Sequence, residues 1–88
     1  MVKTLKVVND LGIHARAAAK IVALGKEFQS RLIFLKDGQE VDGGSILSIL
    51  TLSCPKGTEV EAKIVGEDGE RFMEKLGELF EEKFGETQ

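Results

Sequence analysis

Residues 58–65 alternate with a period of two: Val60, Ala62 and Ile64 are apolar, while Glu59, Glu61 and Lys63 are charged. Successive side chains of a strand point to opposite faces, so this segment offers one face to a core and the other to water. A sheet containing such a strand is covered on one side only, which selects an antiparallel sheet under a layer of helices. The remaining segments fit that demand. Residues 2–8 are β-branched and apolar, with Lys3 and Lys6 interspersed, and stop at Asn9-Asp10, as a strand would. Arg31–Lys36 reads as a second strand, Asp37-Gly38 as a tight hairpin turn, and Gln39–Asp42 as the short return.

Helical signals fall between these strands. From Ala15 the run ARAAAKIVALGKEF predicts a helix whose core stripe is Ala18, Ile21, Val22 and Gly25. Gly25 weakens the helix but leaves room for another element to pack close. Ser45 suits the N-cap of a helix in ILSILTL, which residues 55–57 bring to an end. Glu67-Asp68-Gly69-Glu70 places acidic residues where the dipole of a final helix favours them. That helix presents Phe72, Met73, Leu76, Leu79, Phe80 and Phe84 on one face. The predicted architecture is α+β, a two-layer sandwich in the order β-α-β-β-α-β-α.

With 88 residues there is room for one hydrophobic core, so residues 1–88 are read as one domain. A net charge of −3 argues against a general nucleic-acid binder. No stretch approaches a membrane span and the first ten residues lack a signal-peptide core, so a cytoplasmic protein without membrane contact is expected. Cys54 is the single cysteine and His14 the single histidine, so neither an intramolecular disulfide, a metal site nor a cofactor is expected.

His14 lies where a loop becomes a helix. If the helix begins near Ala15, His14 occupies the N-cap region, and the free amides of Ala15, Arg16 and Ala17 point toward whatever the imidazole carries. A helix N-terminus attracts anions, and the Arg16 guanidinium adds a fork that grips phosphate oxygens. These are the parts of a transient phosphohistidine. Taken alone, the residues more readily describe a helix cap or a surface histidine, because a lone histidine near an arginine is common.

The run GIHARAAAK resembles the phosphorylation motif of the HPr family, Gly-[Leu/Ile]-His-Ala-Arg-Pro-Ala. Residues 45–52 resemble the regulatory-serine helix of the same family, Lys56-Gly57 before the Val60 strand also fits, and Phe84-Gly85-Glu86 is similar to a common ending. The resemblance implies an open-faced sandwich of four antiparallel strands and three helices. It further implies that His14 takes a phosphoryl group on Nδ1 from phosphorylated Enzyme I of the phosphoenolpyruvate-dependent sugar phosphotransferase system. His14 would then pass the group to EIIA domains, with Arg16 holding it. Ser45 would be the target of an HPr kinase/phosphorylase. The chain would be a monomeric, stoichiometric carrier and not an enzyme. The alternative is a regulatory HPr-like binding protein controlled through Ser45 phosphorylation and protein contacts. Two positions depart from the pattern: Ala17 stands where the family usually has proline, and Gly44 where a basic residue often precedes the serine.

The helix after Ser45 is too apolar for a single core stripe. At about 100° per residue, Ile46, Leu47 and Leu50 fall on one arc and Ile49 and Leu52 on another. Ile49 and Leu52 are therefore assigned to the core, and Ile46, Leu47 and Leu50 to an exposed patch for partners. Arg16 and Lys20, extended by Lys26 or Lys56, would form a basic rim that suits an acidic partner.

Overall fold

The computed structural model describes residues 1–87, and the strand with the strictest alternation lies inside its sheet. The elements are β1 (Val2–Lys6), α1 (Ala15–Gly25), β2 (Arg31–Lys36), β3 (Gln39–Asp42), α2 (Ile46–Leu50), β4 (Glu59–Val65) and α3 (Gly69–Glu81), followed by a 3₁₀ turn at Lys83–Gly85. All neighbouring strands are antiparallel in the order β1-β4-β2-β3. The register sets Leu5 opposite Val60, and Phe34 and Leu32 opposite Ala62 and Ile64, so the apolar positions share one face. All of these are buried, while Glu59, Glu61 and Lys63 are exposed. The α+β open-faced sandwich expected from the sequence is the fold observed.

The helices close over the apolar face. Ala17, Ala18 and Ile21 of α1 are buried, and Val22 and Gly25 are half-buried at its border. A Cβ on Gly25 would lie 3.3 Å from Phe72 Cζ, so the glycine lets the Phe72 ring of α3 come close to α1. Phe72 also stacks on Phe28, with ring centroids 4.8 Å apart and the planes 2° from parallel. Burying a side chain of this size contributes about 1.5–3 kcal/mol. Among the described residues, no helix is long and apolar enough to cross a membrane.

Asp68 sits at the N-cap position of α3, at the helix start where the sequence reading places it, but its side chain makes no cap hydrogen bond. Its carboxylate accepts the amides of Gln29 (2.8 Å) and Ser30 (2.9 Å) and the Ser30 hydroxyl, tying the α1–β2 connection to the start of α3. The Ser30 hydroxyl and the Gln29 amide hold the Asp68 carboxyl below its ordinary pKa. Glu70 alone remains as an acidic residue in the first turn of α3.

Three boundaries differ from expectation. Strand β1 ends at Lys6, two residues early, although Val7 still exchanges hydrogen bonds with Thr58 and Gly57 (2.9 and 2.7 Å). Helix α2 is only five residues long, because Thr51 already caps it. Phe84 does not continue the face of α3. That helix stops at Glu81, and Lys83 and Phe84 both take left-handed backbone angles (φ 58° and 57°). This reversal folds the Phe84 ring back onto Phe80, edge to face at 4.9 Å, where it is fully buried. It also carries Glu86 across to the start of α1.

Candidate functional site

The loop before α1 is shaped by Gly12. Its φ of +70° is in the left-handed region, and a Cβ there would lie 2.5 Å from the Cys54 carbonyl oxygen. The turn lets the Ile13 amide donate to that carbonyl (2.9 Å), which pins the helix start to the α2–β4 connection. His14 follows as the N-cap of α1, with extended backbone angles. Its Nδ1 accepts the Arg16 amide at 3.2 Å, so the imidazole does the work that a serine or aspartate does at most helix starts.

The other ring nitrogen has its own partner. His14 Nε2 lies 2.5 Å from Glu86 Oε2, and the second Glu86 oxygen accepts from Asn9 Nδ2 at 2.9 Å. Asn9 Nδ2 also donates to the Gly12 carbonyl at 2.8 Å. Since Asn9 faces two acceptors, its amide nitrogen must point at them, which leaves Oδ1 buried without a partner among the described residues. The same logic orders the histidine. Nδ1 accepts, so it bears no proton, and Nε2 carries the proton donated to Glu86. The hydrogen bonds from Asn9 and then from His14 hold the Glu86 carboxyl below its ordinary pKa, against the opposing effect of burial.

Arg16 is exposed and, with Leu11, Lys20, Gly85, Glu86 and Thr87, lines an open hollow of about 360 Å³ beside the imidazole. Ala15 is exposed and Ala17 is buried, so of the three residues whose amides open the helix only Ala17 also packs into the core. Lys20 is tied down: its ammonium donates to the Phe84 carbonyl, bracing the left-handed turn. Lys56 pairs with Asp10 at 2.7 Å.

Ser45 is the N-cap of α2, its Oγ accepting the Ser48 amide at 3.3 Å. Beyond it Leu47 is 77% exposed and Ile46 37%, whereas Ile49 and Leu52 are buried. Leu50 departs from the expected exposed patch: it is half-buried against the core. Helix α2 packs against α1 as well as over the sheet, so the arc beside Ile49 is covered too. The sequence reading missed Glu86 and Asn9 as site residues. Asn9 registers there only as a strand stop, and no local spacing signals a contact between residues 72 positions apart.

The site is thus a half-buried imidazole at a helix N-terminus, with one ring nitrogen directed to the amide of an arginine in the first helical turn. Residues 1–82 match the family model described as "PTS HPr component phosphorylation site". The chain is 43% identical over 82 residues to the phosphocarrier protein HPr of Xylella fastidiosa (strain Temecula1), covering 93% of this chain and 92% of the relative. It is 34% identical over 86 residues to that of Treponema pallidum, covering 98% of each. Among solved structures, HPr-C-His from Thermoanaerobacter tengcongensis superposes with a TM-score of 0.94 at 34% identity, over 100% of this chain and 99% of the other. An HPr from Bacillus anthracis gives 0.85 at 29% identity, over 91% and 95%. The chain belongs to the HPr family of phosphocarrier proteins of the phosphotransferase system.

Proposed function

We infer that His14 Nδ1 accepts a phosphoryl group from phosphorylated Enzyme I and donates it to an EIIA domain. The observation that carries this reading is the division of labour on the ring. Nε2 is occupied by Glu86, whereas Nδ1 has only a long bond from the Arg16 amide at the exposed edge of the helix. A lone pair there can leave the amide and attack phosphorus. The new P–N bond forms as the bond to the donor breaks, and that electron pair returns to the donor. The phosphoryl oxygens are then within the reach of the amides of Ala15, Arg16 and Ala17, which carry the partial positive charge of the helix start. The Arg16 guanidinium, free of any carboxylate partner among the described residues, supplies a bidentate grip. Transfer onward reverses these steps, so the chain is a stoichiometric intermediate.

The exposed Ile46 and Leu47, on a helix packed against α1, suit an apolar contact with both partners, to which Arg16 adds positive charge. Such a contact is small, because a carrier must leave after each transfer. Phosphorylating Ser45 with an HPr kinase/phosphorylase would set about two negative charges at the N-terminus of α2, beside this contact. That modification strengthens the cap and repels an acidic partner. The carrier works as a monomer of one domain in the cytoplasm.

Incubation with a general Enzyme I and phosphoenolpyruvate, followed by intact mass, tests the reading. One acid-labile phosphoryl group, absent in His14→Ala, is the expected result. No labelling of the folded chain, with Ser45 still modified by an HPr kinase, would move the function to a regulatory binding protein.

A further inference from the structure

We propose that Glu86 is a positioning residue for phosphoryl transfer, fixing the tautomer and orientation of His14 through Nε2; the proposal rests on the carrier reading above. The imidazole could in principle turn about its side-chain bonds or carry its proton on either nitrogen, and only one arrangement presents a bare Nδ1 to the helix end. Two hydrogen bonds impose that arrangement, and they act at opposite ends of the ring. The Arg16 amide needs an unprotonated Nδ1, and the Glu86 carboxylate at 2.5 Å needs a protonated Nε2. The amide bond must be given up when Nδ1 attacks phosphorus, so during the reaction Glu86 alone holds the ring.

Glu86 is itself held. Asn9, fully buried, donates to its second oxygen, and the Glu86 segment is fastened by the buried Phe84 ring and by Lys20 on the Phe84 carbonyl. His14 and Glu86 side chains are only 28% and 14% exposed, so the pair is partly sheltered from water. The geometry also serves the product. When the P–N bond forms at Nδ1, the proton stays on Nε2 and the ring gains a positive charge. The carboxylate already in contact balances it, and no group has to move. A charge-assisted hydrogen bond of this partial exposure should shift the phosphoryl equilibrium by about tenfold.

The test compares the native chain with Glu86→Gln and Glu86→Ala, labelled with ¹⁵N. Glutamine retains an oxygen that can accept from Nε2 but no charge; alanine retains neither. In the unphosphorylated native chain at alkaline pH, Nε2 should be the protonated nitrogen, and the Arg16 amide proton should show its bond to Nδ1. Glu86→Gln should preserve both signatures. Glu86→Ala should mix the two tautomers and shift the Arg16 amide toward the position of an unbonded proton. In the second arm, equilibration with Enzyme I, phosphoenolpyruvate and pyruvate should disfavour the phosphorylated form of both variants by about tenfold. Unchanged ring nitrogens in Glu86→Ala, or one phosphoryl equilibrium shared by all three chains, overturns the proposal. Failure of the native chain to accept phosphate refutes the carrier reading instead, and the ring spectra then decide the positioning role on their own.

Discussion

Replacing Gly12 with alanine should destabilise the fold far more than the same replacement at Gly38, although both glycines have left-handed backbone angles (φ +70° and +81°). The shared part is conformational: an L-residue held in that region costs about 1–2 kcal/mol. At Gly38, in the β2–β3 turn, nothing lies within 4 Å of the added Cβ, so that part is the whole effect. At Gly12 the Cβ would meet the Cys54 carbonyl oxygen at 2.5 Å and Pro55 Cα at 2.8 Å, both backbone atoms that cannot rotate away. Relief requires moving the α2–β4 connection, and overpacking of this kind adds about 1–3 kcal/mol. The total of about 2–5 kcal/mol is a large share of the roughly 4–13 kcal/mol available to a domain of this size. In thermal terms Gly12→Ala should melt about 8–40 °C lower, against about 4–16 °C for Gly38→Ala. Urea melts followed by circular dichroism, with a common slope imposed, give the comparison directly. Equal losses for the two variants would refute the argument, because they would mean that the Cys54–Pro55 backbone yields without resistance.

Leu47→Asp should leave stability within about 0.5 kcal/mol, because the side chain is exposed, while raising the KM for the chain as a substrate of Enzyme I. Asp68→Ala should destabilise the chain at neutral pH and progressively less in acid. The folded carboxyl titrates below its ordinary value of 3.8, so its contribution is full above that pH and vanishes as the pH falls through the depressed value. Urea midpoints of the two proteins at pH 7 and pH 3 should therefore converge in acid. Cys54 is buried, and burial raises its thiol pKa. It should react slowly with a thiol reagent at pH 7 until urea exposes it, and absorbance on thiol release follows the rate.

The order and type of the elements were legible because each signal is local. Alternation in residues 58–65, the Asp37-Gly38 turn and the alanine run after His14 each depend on near neighbours. So did His14 as a cap and Ser45 as a cap, since both act on amides two or three residues away. What escaped depends on packing between distant parts of the chain. Nothing in the periodicity of residues 69–84 announces that Lys83 and Phe84, neither a glycine, adopt left-handed angles to bury a phenyl ring. Leu50 lies on the outer arc of a helical wheel, but a wheel knows one neighbour and α2 has two. Asp68 reads as a helix-start residue, yet the unpaired amides of Gln29 and Ser30 claim its carboxylate. Glu86 is the extreme case, because its role exists only when both ends of the described chain meet.

The amide of Asn9 has a bearing on descent. Its nitrogen serves two acceptors at once, Gly12 O and Glu86 Oε1, from a position closed to water. An aspartate there would confront them with a second anion, a glutamine is longer by one methylene, and an alanine would strand both oxygens. Lineages that replace Glu86 by a residue without an acceptor relax that restriction, leaving only the Gly12 carbonyl to be served from position 9. Substitutions at positions 9 and 86 should accordingly occur together in evolution, as a linked pair separated by nearly the whole sequence.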